Sequence, residues 1–132
     1  MGYSLDTKAG EPPVRLLLVE DNADEAHMVV RALREGNYHV HHVRTGAEAE
    51  DAARQGPFHV VLLDHRLPDT SGVRVCAKLR GAGLTAPIIL VSSSRDDETA
   101  RLAFAAGATD YLTKGMDYGA AIGPYLSSLL GD

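Results

Sequence analysis

Five short apolar runs, separated by longer stretches of helical period, fix most of what this chain can become. Residues 15–20 (RLLLVE), 38–43 (YHVHHV), 58–64 (FHVVLLD), 87–92 (PIILVS) and 110–112 (DYL) read as strands. Most are apolar throughout instead of alternating with polar residues, the pattern of strands covered on both faces. Between them, Ala26, Val29, Val30 and Leu33 fall at i, i+3, i+4 and i+7, and Val75, Cys76 and Leu79 begin the same pattern. Each set marks a helix with one buried face. Ala49, Ala52 and Ala53 share one side of residues 46–55, and residues 96–106 are alanine-rich with acidic side chains in their first turn, where the helix dipole favours them. Strand then helix, repeated along the chain, predicts an α/β fold: a doubly wound, five-stranded parallel sheet with five helices.

The last segment fits this plan least well. MDYGAAIGPYLSSLLGD contains Gly119, Gly123 and Pro124, all poor in a helix interior. Pro124 is expected to mark a kink or the first turn of a shorter helix, with Tyr125, Leu126, Leu129 and Leu130 making the buried contacts. Upstream of the first strand, residues 1–13 are polar and read as a flexible tail, leaving 14–132 as one domain; 132 residues suffice for a single core. The tail lacks a signal-peptide core, and no apolar stretch approaches the ~18 residues of a membrane span. A lone cysteine, Cys76, cannot pair within the chain and suits a reducing, cytoplasmic setting. The net charge of −5, with Lys and Arg scattered, argues against nucleic acid as a direct partner.

In open α/β sheets the ligand site lies beyond the carboxyl ends of the strands, where strand order reverses. Those ends carry Glu20, Asp21 and then Asp24 after the first strand, Asp64 at the third, Ser92, Ser93 and Ser94 at the fourth, and Lys114 after the fifth. With the strand order 2-1-3-4-5, these groups converge on one pocket. Carboxylates crowded together repel one another at neutral pH, and a hard divalent cation is the usual remedy; Mg²⁺ fits best, because it takes one or two carboxylates and keeps positions for phosphoryl oxygens. Asp64 is then a candidate nucleophile toward phosphorus, forming an aspartyl phosphate, with the metal, Lys114 and Ser92 balancing charge on the phosphoryl oxygens.

The motifs LLLVEDNAD, VVLLDHRLPDTSG, APIILVSSS and AGATDYLTKG, taken in order and spacing, resemble the receiver domains of bacterial two-component response regulators over roughly residues 14–130. The resemblance implies a flavodoxin-like receiver fold and a phosphoryl group taken from a sensor histidine kinase or phosphotransfer protein. It makes Asp64 the phosphoacceptor, Asp21 a direct Mg²⁺ ligand and Glu20 a helper acting mostly through water. It further implies the backbone carbonyl of Arg66 as a ligand, Ser92 as the switch hydroxyl, Tyr111 as the switch aromatic and Lys114 as the phosphate-contacting lysine. Such a domain is not an enzyme on a separate substrate, although it catalyses its own Mg²⁺-dependent phosphorylation and dephosphorylation. Either it stands alone or it is part of a longer chain. Output is expected through residues 96–130, toward a downstream protein or a second copy, with the kinase docking near Met28 on the first helix. Most receivers carry proline after the lysine; here Gly115 stands there, and the Lys114–Gly115 bond is expected to be trans.

Other readings compete residue by residue. Asp24 reads more simply as the N-cap of the first helix. His39, His41 and His42 lie on or beside the second strand, away from the expected site, and one strand face offers too few ligands for a metal. His65 should leave the strand on the side opposite Asp64. A dehalogenase-type phosphatase needs an acid two residues after its nucleophile, and here that residue is Arg66. A flavin carrier's phosphate would be repelled by EDNAD. A docking module that is never phosphorylated is the main alternative, yet its expected loss of the acceptor, the acidic pair or the lysine has not occurred.

Overall fold

The computed structural model of the protein describes residues 11–131. Strands β1 (Val14–Val19), β2 (Tyr38–Val43), β3 (Val60–Asp64), β4 (Ile88–Ser92) and β5 (Asp110–Thr113) alternate with helices α1 (Ala23–Ala32), α2 (Gly46–Gln55), α3 (Gly72–Gly81), α4 (Asp97–Ala105) and α5 (Tyr118–Leu130). The strands form one sheet in the order β2-β1-β3-β4-β5, and every pairing is parallel. This is the expected doubly wound architecture, five parallel strands in the order 2-1-3-4-5 with five helices.

Because successive strand residues face opposite ways, the apolar runs supply two cores at once. Leu17, Val19, Val61, Leu63, Ile88 and Leu90 pack against α2, α3 and α4. Leu16, Leu18, Val60, Leu62, Ile89 and Val91 pack against α1 and α5. The outermost strand β2 is buried only at Val43 and otherwise stands half-buried or exposed, so its histidines need no core partners. Phe58 precedes β3 instead of belonging to it, but is still buried, with the Arg15 guanidinium carbon 5.2 Å from its ring centre.

Several expectations need correction. Asn22, not Asp24, caps α1: its side chain accepts from Glu25 N at 2.9 Å, which leaves Asp24 exposed in the first turn. Val30 is 39% exposed, since Ala26, Val29 and Leu33 already fill the stripe that α1 turns to the sheet. Pro124 neither starts nor ends a helix. Helix α5 runs through it, and the ring sits on the exposed side. The fully inward residues of α5 are Tyr118, Ile122 and Leu126, while Tyr125, Leu129 and Leu130 are only partly buried. Helix α5 approaches α1 closely here, because a Cβ at Gly119 would stand 2.8 Å from the Met28 sulfur. Most of the expected tail lies outside the described residues; residues 11–13 are exposed, and the Glu11 carbonyl accepts from Asn37 Nδ2 at 3.2 Å.

This packing separates two residues that hydropathy alone treats alike. Ile122→Ala, at a side chain 1% exposed, is expected to cost about 2–5 kcal/mol in urea unfolding, from lost transfer energy and the cavity left behind. Val30→Ala is expected to stay within about 0.5 kcal/mol.

Candidate functional site

The parallel register brings the strand ends level. Asp64 pairs with Val91 and Ser92 with Thr113, so Asp64, Ser92 and Lys114 leave the sheet along one rim. Glu20 and Asp21 follow β1 at the same rim and border the same cleft, about 540 Å³ in volume. The Lys114 backbone N–H donates to the Ser92 carbonyl at 2.7 Å, holding the lysine beside the end of β4. No described peptide bond is cis, so Lys114–Gly115 is trans, as expected.

Lys114 Nζ is the electrostatic centre. It lies 2.9 Å from Glu20 Oε1 and 3.0 Å from Asp64 Oδ1, and it also donates to Glu25 Oε1. Burial works against the ammonium, but hydrogen bonds to Glu25 and Glu20 and the charge of Asp64 outweigh it, and the lysine pKa is raised. Burial raises the pKa of Asp64, and Lys114 opposes the shift without cancelling it. Glu20, only 5% exposed, is also pushed up by burial against the hydrogen bond from Lys114.

One carboxylate oxygen each from Glu20, Asp21 and Asp64 lies within 4.8 Å of the others, and Arg66 borders the same cleft. A set of hard oxygen donors at this spacing, whose mutual repulsion a cation would relieve, fits Mg²⁺. The expected site residues Glu20, Asp21, Asp64, Arg66, Ser92 and Lys114 therefore come together. Asp24 does not join the acidic cluster.

The acid that reaches inward in its place is Glu25, which motif spacing does not single out. With Asn22 as N-cap, Glu25 takes the third helical position, where a glutamate often bonds back to the N-cap N–H. Here Asn22 N donates to Glu20 Oε2 at 3.1 Å instead, leaving Glu25 free for Lys114. The sequence signal was present in the register of α1 but depended on locating its cap. His42 is likewise closer to the site than expected: its Nε2 lies 2.7 Å from the Glu20 carbonyl oxygen. His39 and His41 are exposed on β2, His41 edge-on to Phe58.

On the far side of Lys114, the two expected switch residues share one acceptor. Ser92 Oγ donates to the Ser94 carbonyl at 3.0 Å, and the buried Tyr111 donates its hydroxyl to that same oxygen at 3.3 Å.

The electrostatics give a stability prediction for metal-free protein. Burial holds the Asp64 carboxyl above its ordinary range in the folded protein, so its ionised form costs stability at pH above the folded pKa. Asp64→Asn should then raise the melting temperature at pH 7, and the gain should shrink to nothing as pH falls below about 3.9, where the carboxyl is protonated in both states. A thermal melt series with chelator checks this.

Comparison with known proteins agrees with this geometry. The family model for the response regulator receiver domain matches residues 16–121. The chain is 36% identical over 101 residues to the cell cycle transcriptional regulator CtrA of Caulobacter vibrioides, covering 76% of this chain and 44% of CtrA. It is 45% identical over 100 residues to the transcriptional regulatory protein KdpE of Mycobacterium tuberculosis, covering 71% of this chain and 44% of KdpE. The chain thus spans less than half the length of these curated relatives. Among solved structures, the BeF3-activated DrrB receiver domain superposes with a TM-score of 0.80 at 28% identity, over 91% of this chain and 99% of that one; DrrB is a response regulator of Thermotoga maritima.

Proposed function

The chain belongs to the response regulator receiver domain family, and on that footing we propose that it is the phosphoacceptor of a two-component pathway, receiving a phosphoryl group on Asp64 from a histidine kinase or phosphotransfer protein. One constellation carries this reading: the Asp64 carboxylate at the tip of β3, 3.0 Å from Lys114 Nζ, with oxygens of Glu20 and Asp21 within 4.8 Å. A site built only for docking has no need to gather three acids around one lysine.

In the proposed reaction an Asp64 oxygen attacks phosphorus, and the bond from phosphorus to the donor's imidazole nitrogen breaks. Mg²⁺, held by Asp21, Asp64 and the Arg66 carbonyl with Glu20 assisting through water, would offset the charge of the phosphoryl oxygens. Lys114 already contacts Asp64 and has other carboxylates to release, so it can follow the added negative charge without leaving the rim. Ser92 can redirect its hydroxyl from the Ser94 carbonyl to a phosphoryl oxygen. The domain acts on no separate substrate; it promotes its own phosphorylation and dephosphorylation. We place it in the cytoplasm, and no described helix is long and apolar enough to cross a membrane.

Output runs through residues 96–130. Helix α4 exposes Leu102 and Phe104, and α5 carries no charged side chain between Tyr118 and Leu130. A partner protein or a second copy of the chain meets this face when Ser92 and Tyr111 change partners, a shift between two existing arrangements biased by charge at Asp64.

Two measurements follow. Incubation with acetyl phosphate and Mg²⁺ should add one phosphoryl group to the intact mass, lost in Asp64→Asn and in Asp21→Ala although both variants stay folded. An unmodified wild-type mass would favour a docking module, and undiminished phosphorylation of Asp21→Ala at millimolar Mg²⁺ would refute its ligand role. Beryllofluoride, a phosphoryl mimic, should shift backbone amide resonances across 96–130; shifts confined to the Asp64 loop would refute the proposed output surface.

A further inference from the structure

The loop between β3 and α3 carries Arg66, whose carbonyl the reading above gives to the metal. The loop turns back on itself: Leu67 N donates to the Thr70 carbonyl at 3.2 Å, Arg66 and Ser71 form an isolated antiparallel bridge, and Gly72 N donates to the His65 carbonyl at 2.6 Å. These bonds close the turn without fixing where it points. The fixing contact comes from another element. Asp69, at the tip of the turn, accepts from Gly46 N at 2.9 Å and Ala47 N at 3.0 Å, the first two N–H groups of α2. Thr45 Oγ1 takes the third, from Glu48 N, at 3.1 Å.

Asp69 therefore completes the N-terminus of a helix more than twenty residues upstream, where the helix dipole favours a carboxylate. Gly46 makes the approach possible: a Cβ there would stand 2.5 Å from Thr70 Cγ2. Those backbone bonds also hold the Asp69 pKa below its ordinary value, keeping it ionised at neutral pH. The same end of α2 reaches the second acidic loop, because Arg44 Nη2 donates to the Asp21 carbonyl at 2.9 Å. Helix α2 is itself seated on the sheet through the buried Ala49 and Ala52. The start of α2 thus holds two of the loops that frame the cleft, those after β1 and β3.

We infer that Asp69 is a positioning residue for the metal site, anchoring the turn on α2 so that the Arg66 carbonyl faces Asp21 and Asp64. The inference rests on the phosphoacceptor reading, and a calorimetric titration of the full, unphosphorylated chain with MgCl₂ separates the two. Wild-type protein should bind Mg²⁺; failure to bind overturns that reading and this inference with it. Given wild-type binding, Asp69→Ala should weaken Mg²⁺ about tenfold, the scale seen when a group supporting a metal ligand is removed, while circular dichroism stays that of the wild type. Asp69→Asn removes the same charge but keeps an acceptor oxygen, and should lose less. Wild-type affinity in Asp69→Ala overturns the inference. Equal losses in Ala and Asn would assign the effect to distant charge instead of anchoring, and would overturn it too.

Discussion

A single ammonium among three carboxylates sets the terms for everything at the carboxyl end of this sheet. Lys114 leaves β5, yet its partners lie on β3 and beyond β1, with β4 in between. Neighbouring strands lie about 4.8 Å apart, so β5 and β3 are separated by about 10 Å. Only a long, flexible cation closes that distance. Removing it would leave the nearly buried Glu20 without its counter-charge, the costly way to break a buried pair.

The acids remain poorly neutralised even so. Burial keeps Asp64 and Glu20 above their ordinary pKa values despite the lysine, which leaves the cleft ready for a further positive charge. The surrounding loops are held from several directions: His42 on the Glu20 carbonyl, Arg44 on the Asp21 carbonyl and Asp69 on the start of α2. On the other flank Ser92 and Tyr111 both donate to the Ser94 carbonyl, and the Lys114 N–H holds the Ser92 carbonyl.

Much of this was legible in the chain itself. Unalternating apolar runs gave the two-sided sheet, and polar residues at their ends gave Glu20, Asp21, Asp64, Ser92 and Lys114, because strand ends are where an open parallel sheet exposes side chains. What escaped depended on facts a linear pattern does not hold. On α5 the sequence pattern found Leu126 and the partly buried Tyr125, Leu129 and Leu130 but missed Ile122 and Tyr118, which face the same core one and two turns earlier. Pro124 lies inside α5 on its exposed side, a placement that helix propensity does not indicate. Glu25 enters the site only once Asn22 is known to be the cap, and Asp69 finds its partners through a contact between distant segments.

The central claim is that Asp64 is the group that becomes phosphorylated. Borohydride reduces an acyl phosphate to the alcohol, so treating protein first exposed to acetyl phosphate and Mg²⁺, then sequencing the peptide spanning β3, reads the modified position directly. The account predicts homoserine at position 64, dependent on Mg²⁺. Aspartate intact at 64, with the label on another residue, would contradict it.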